Sequence, residues 1–271
     1  MKHNTARMCL CLAAILALGM NGCQGLKARD QLGKGVHAYK NAQYPEAVRY
    51  FKAAVELDPN FPTARLYLAT AYMMQYIPGA ESPDNARMAT AAFEEFQRVL
   101  EQSPNDRVAL ASIASLFFHQ KKFDEAETWY GKLTTADPAN KEGFYTLGVI
   151  AWTKTFTKRM EARAKMGMRP EDPGPLKDKK VRESLRAENF PVIEAGIKHL
   201  EKALEVDKEY DDSMAYMNLL FRERADLQDS EEGYRKDNEV AEAWIHKTME
   251  VKKIKKARMP GGGGITAEGT R

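Results

Sequence analysis

Residues 44–60 read YPEAVRYFKAAVELDPN, from Tyr44 to Asn60. Within this stretch Ala47, Phe51 and Ala54 follow each other at steps of 4 and 3, the spacing of one helix face. Pro59 comes next, where a helix can no longer continue. Gly35 stands 12 residues before Ala47, and ten residues after Pro59 comes Ala69. From Ala114 the same steps land on Ala126, Tyr130, Leu133 and Pro138, with Gly148 ten residues further on. The chain therefore repeats itself every 34 residues. Each unit predicts two amphipathic helices, about 28–41 with 44–57 and about 106–119 with 123–135. Gly35, Ala47, Ala114 and Ala126 are small enough for the paired helices to approach closely, and Phe51 and Tyr130 fill the space between units.

Three further units carry the pattern with additions between their two helices. Ala69 is followed after 23 residues by Ala92, then Phe96, Val99 and Pro104. Gly148 is followed after 48 by Gly196, then Leu200 and Ala203, with Lys208 in the place of proline. Asn218 is followed after 23 by Ala241, then Ile245, Thr248 and Lys253. The additions are 11, 36 and 11 residues long. The pattern, above all Tyr44-Pro45-Glu46-Ala47 and Ala54 to Asn60, resembles the tetratricopeptide repeat (TPR) family over about residues 28–256. That resemblance implies an all-α, right-handed α-solenoid of about five helix pairs, ten helices in all, with no sheet. The solenoid is expected over 30–257, after a signal peptide (1–22) and a short linker (23–29), and before a Gly-rich tail (258–271).

The first addition holds Ile77-Pro78-Gly79 and Ser82-Pro83-Asp84, which predicts a turn and a helix start near Ser82 or Asp84. In the long addition, Lys158–Met168 is helical in composition, Arg169–Leu176 breaks the helix, and a helical pattern resumes with a kink expected at Pro191. The expected shape over 154–190 is a projecting antiparallel hairpin with 11 basic and 6 acidic residues. It reads either as a docking arm for an acidic partner or anionic headgroups, or as a solvated spacer covering its neighbours' apolar faces.

Composition narrows the function. The 271 residues are 44% hydrophobic and 29% charged, ample for a core. The net charge of +3 belongs to the ends: the tail from Lys247 carries seven basic residues against Glu250 and Glu268, and the body from Cys23 to His246 is −4. Such a body is a poor phosphate-binding surface, so nucleic acid is not the expected partner. After the signal there is no Gly-x-Ser-x-Gly, His-Glu-x-x-His, phosphate loop or Cys-x-x-Cys, and His37, His119, His199 and His246 have no metal-ligand spacing. No catalytic residue, metal or cofactor is expected.

Lys2, His3 and Arg7 precede the apolar run Met8–Met20, which at 13 residues is too short to span a bilayer but suits a secretory signal. Cys9 and Cys11 would leave with it. Met20-Asn21-Gly22-Cys23 resembles the lipobox of bacterial lipoproteins, although leucine and a small residue are usual where Met20 and Asn21 stand. The resemblance implies a lipid on Cys23, an anchor in the cell envelope on the periplasmic face and, with Gln24 next, sorting to the outer membrane. Export without a lipid, or an uncleaved anchor, are the alternatives.

In the TPR family the first helices line a concave groove. Four residues after each small first-helix position come Tyr39, Met73, Phe118 and Trp152, with Tyr145 nearby and Arg222 in the fifth unit. The resemblance makes these a partner-binding stripe, while close packing could equally bury them as core. The family's clamp for acidic C-termini is missing, since Leu32, Val36, Leu66, Thr70, Ala111 and Ser115 stand on the corresponding faces. The expected function is a non-catalytic scaffold lipoprotein that binds a peptide or a segment of another envelope protein. The alternative is a small-molecule or lipid carrier using the same groove.

Overall fold

The computed structural model describes residues 24–258, which form ten α-helices and, among the described residues, no strand. They are α1 (24–40), α2 (Tyr44–Leu57), α3 (Pro62–Met73), α4 (Pro83–Gln102), α5 (Arg107–His119), α6 (Phe123–Ala136), α7 (Lys141–Lys165), α8 (Lys179–Val206), α9 (Asp211–Asp226) and α10 (Glu231–Arg258). The order is five successive helix pairs, as the repeat requires. Cys23 and the tail beyond Arg258 lie outside the described residues. Residues 24–29, expected as a linker, are the first turns of α1. The chain divides into two compact units after Trp129, within α6.

In the first unit the 34-residue pattern is the core. Ala38, Ala47, Phe51, Leu68 and Ala71 form one buried cluster. Ala69, Ala92, Phe96, Val99, Ala109 and Ile113 form the next. Burying a phenylalanine such as Phe51 completely contributes about 2–3 kcal/mol. The small positions are small of necessity: a Cβ on Gly35 would sit 2.4 Å from the Phe51 ring. The helices begin where the sequence supplies caps. The Ser82 hydroxyl accepts from the Asn85 N–H at 3.1 Å, and the Asp106 carboxylate from the Ala109 N–H at 2.8 Å. The turns α1–α2 and α5–α6 each pass through one left-handed residue, Ala42 (φ 58°) and Lys121 (φ 59°).

In the second unit Gly148 and Gly196 play the part of Gly35. A Cβ on Gly148 would meet Leu200 at 2.4 Å, and one on Gly196 would meet the Ala151 Cβ at 2.5 Å. The core joins Ile193, Ile197 and Leu200 of α8 to Met217, Leu220 and Phe221 of α9. α8 runs on through Pro191.

The long addition lengthens α7 to 25 and α8 to 28 residues, as expected, but the hairpin does not project. Its connecting loop is docked. Leu176 and Met168 are buried in the unit's core, and the Leu176 N–H donates to the Asp226 carbonyl at 2.9 Å. A buried ionic knot holds it there. The Arg163 guanidinium, 2% exposed, donates to both Asp226 carboxylate oxygens at 2.8 Å and to the loop carbonyls of Arg169 and Asp172. Arg159 donates to Glu223 at 2.8 Å and Asp226 at 2.7 Å. One α7 face therefore clamps the loop to the C-terminal end of α9. Of the two readings of this segment, the docked loop matches the one that covers its neighbours' apolar faces.

Candidate functional site

The expected stripe separates into four kinds of position. Tyr39 and Phe118 close turns. The Tyr39 ring meets Tyr44, the first residue of α2, edge-on at 5.5 Å, and Phe118 meets Phe123, the first residue of α6, at 5.9 Å. These are the turns that hold Ala42 and Lys121. Met73 packs, half-buried, on the Ala69–Phe96–Ile113 cluster. Arg222 is occupied: it donates to the Asn218 amide oxygen at 2.9 Å and pairs with Glu242 of α10. All four have partners within the fold, and each stays partly exposed.

Tyr145 and Trp152 are brought together with partners that the repeat spacing did not mark. Along α7 and α9, the first helices of their pairs, the rings form a ladder. Phe156 lies 4.7 Å from Trp152, and Trp152 meets Tyr216 edge-on at 5.7 Å. Tyr216 meets Tyr145 at 5.5 Å, and Tyr145 lies 5.3 Å from Tyr210, which precedes α9. All five rings are half-buried, so each keeps an edge in solvent. The two edge-to-face and two tilted contacts at these distances hold each ring in place and add about 0.5–1.5 kcal/mol per pair. Tyr210 and Tyr216 occupy no common repeat position. Only their three-dimensional proximity to Tyr145 reveals them.

The ladder is electrically one-sided. Burial pushes the Tyr210 hydroxyl up to about 12, helped by the carboxylates of Glu142 and Asp212. Burial also raises Tyr145 and Tyr216, and Asp212 acts on both. All three phenols therefore stay neutral through the physiological range and serve as hydroxyl donors beside exposed carboxylates. Lys141 stands over the Tyr210 ring at 4.8 Å and bonds to Asp207 at 2.7 Å. A surface of fixed aromatic edges and hydroxyls recognises a chain segment by stacking and hydrogen bonding. No cluster of three or more His, Cys, Asp or Glu residues that could hold a metal occurs among the described residues, and no described helix is long and apolar enough to cross a membrane.

Residues 32–107 and 85–141 match the tetratricopeptide repeat family model. A stretch of 123 residues is 29% identical to sperm-associated antigen 1 of Rattus norvegicus. That match covers 45% of this chain and only 12% of the length of that relative. Among solved structures, the MamA protein is similar over 88% of this chain and 98% of its own, at 14% identity and a TM-score of 0.57. YrrB, described as a TPR protein with an unusual peptide-binding site, is similar over 82% of this chain and 85% of its own, at 10% identity and a TM-score of 0.52. With buried small residues at the 34-residue positions in both compact units, these similarities identify an all-α solenoid of helix pairs of the tetratricopeptide-repeat type, and residues 32–141 carry the repeats of that family.

Proposed function

We propose that this is a non-catalytic, lipid-anchored scaffold of the bacterial cell envelope that binds a segment of another envelope protein along the α7–α9 ladder. The observation that carries the binding reading is the ladder itself, four aromatic contacts between 4.7 and 5.7 Å on the first helices of two successive repeats. Pre-fixed aromatic side chains lose little conformational entropy on binding and supply large contact area. The peptide-binding site described for YrrB, a protein of the same fold, supports a peptide-sized ligand. The lipid reading rests on the sequence around Cys23 and on the charged and apolar run before it.

The test separates binding from packing. Tyr145→Phe with Tyr216→Phe keeps the rings and removes two hydroxyls, and Trp152→Ala removes the central ring. Both variants are compared with the parent for recovery of a cross-linked partner in the native cell and for melting. Lost partner with an unchanged melt in the double Phe variant is the expected result. Full recovery from both variants would sink the reading.

A further inference from the structure

The addition in the second repeat reshapes the surface beyond its own helix. α2 begins three residues before Ala47, whereas α4 begins nine before the equivalent Ala92, at Pro83. The extra turns overhang the C-terminal end of α5. Between this overhang, the preceding loop and the α5–α6 turn lies an open cleft of about 660 Å³. Its floor is apolar: Ala89, Phe93 and Phe117, the two phenylalanine rings meeting edge-on at 5.3 Å. Ala86, exposed on α4, leaves the bank low.

The cleft is preformed. Asn85, 8% exposed, accepts from the Ile77 N–H at 2.7 Å and donates to the carbonyls of Ile77 at 2.9 Å and Ala80 at 2.8 Å. One side chain thus fixes the loop that forms the far wall. The opposite rim carries Lys121 and Lys122, both exposed, and neither has a salt-bridge partner among the described residues. The lone acid in the lining is Glu81.

We propose that this cleft is a docking site for a partner-protein segment that presents a large apolar side chain flanked by carboxylates. An apolar floor with low alanine walls accepts the side chain. The rim ammonium groups of Lys121 and Lys122, the latter over the Phe117 ring at 5.8 Å and neither paired with an acid among the described residues, select flanking acids over bases. The site lies within the first compact unit, on residues that the α7–α9 ladder does not use, and stands or falls independently of it.

The probe is a short fluorescein-labelled peptide with a central Leu-Phe pair flanked by aspartates, titrated into the full chain at low salt. Its control carries lysines in place of the aspartates. The acidic peptide is expected to bind about tenfold or more tightly than the control, and to weaken as salt rises. Ala86→Trp, which fills the cleft from an exposed position, should weaken it by a similar factor. Lys121→Glu with Lys122→Glu should reverse the preference. Trp152→Ala should leave the titration unchanged. Equal binding of the two peptides, no binding by the parent, or binding indifferent to both sets of variants would overturn the proposal. A dimer of the chain alone that Ala86→Trp dissolves would give the cleft to a second copy and overturn it as well.

Discussion

Ala42 and Lys121 occupy the same place in repeats one and three, and both hold a left-handed backbone at a Cβ-bearing residue. A side chain there costs about 1–2 kcal/mol against a residue with no Cβ. Ala42→Gly is accordingly expected to raise stability by up to about 1 kcal/mol, read as a higher melting temperature. The opposite holds at Gly148, where a new Cβ would overlap Leu200. Gly148→Ala should cost about 1–3 kcal/mol by overpacking. A third residue answers to pH. The Lys141 ammonium and the Glu209 N–H hold Asp207 below the usual carboxylate range. Its contribution is present above pH about 3.9 and is lost as pH falls through its folded value. Asp207→Asn should therefore melt earlier than the parent at pH 7, by under about 1 kcal/mol, and the gap should close in strong acid. The small core positions were legible in the sequence because close helix packing admits so few side chains. The ring that each of Tyr39 and Phe118 meets, Tyr44 and Phe123 five residues on, was not marked by the repeat spacing, because a contact across a turn depends on the backbone that closes it.

At the scale of the element, the Ser82 start of α4 was legible because a cap is local chemistry. The clamp of α7 on α9 was not, since Arg163 and Asp226 stand 63 residues apart and nothing in a helical charge pattern marks one arginine for burial. The two acids of the knot are not equivalent. Burial raises Glu223 above its ordinary value against the pull of Arg159, so its ionisation opposes folding as pH rises above about 4.3. Asp226 is the carboxylate on which the buried Arg163 depends. Asp226→Asn should cost about 3–5 kcal/mol by stranding that charge, and Glu223→Gln markedly less, as measured by denaturant unfolding. The same knot guards the 166–178 connection. A nonspecific protease needs an extended, yielding strand, and a loop tied by its own carbonyls to a guanidinium does not supply one. The parent should resist cleavage there, and Arg163→Met should be nicked between Met166 and Asp178.

For the whole molecule, a stack of repeats draws its stability from neighbours in sequence. The proposed anchor is tested by replacing Cys23 with serine: the chain should move from the membrane to the soluble fraction. An unchanged distribution of a cleaved protein would remove the lipid from the reading. The described chain is already helical at residue 24, and this bears on the same point. The proposed lipid on Cys23 would then act as a short mount and not as a leash, holding the first repeat close to the bilayer. Splicing a flexible Gly-Ser stretch between residues 23 and 24 should leave folding and retention intact while changing which neighbours a short cross-linker can capture.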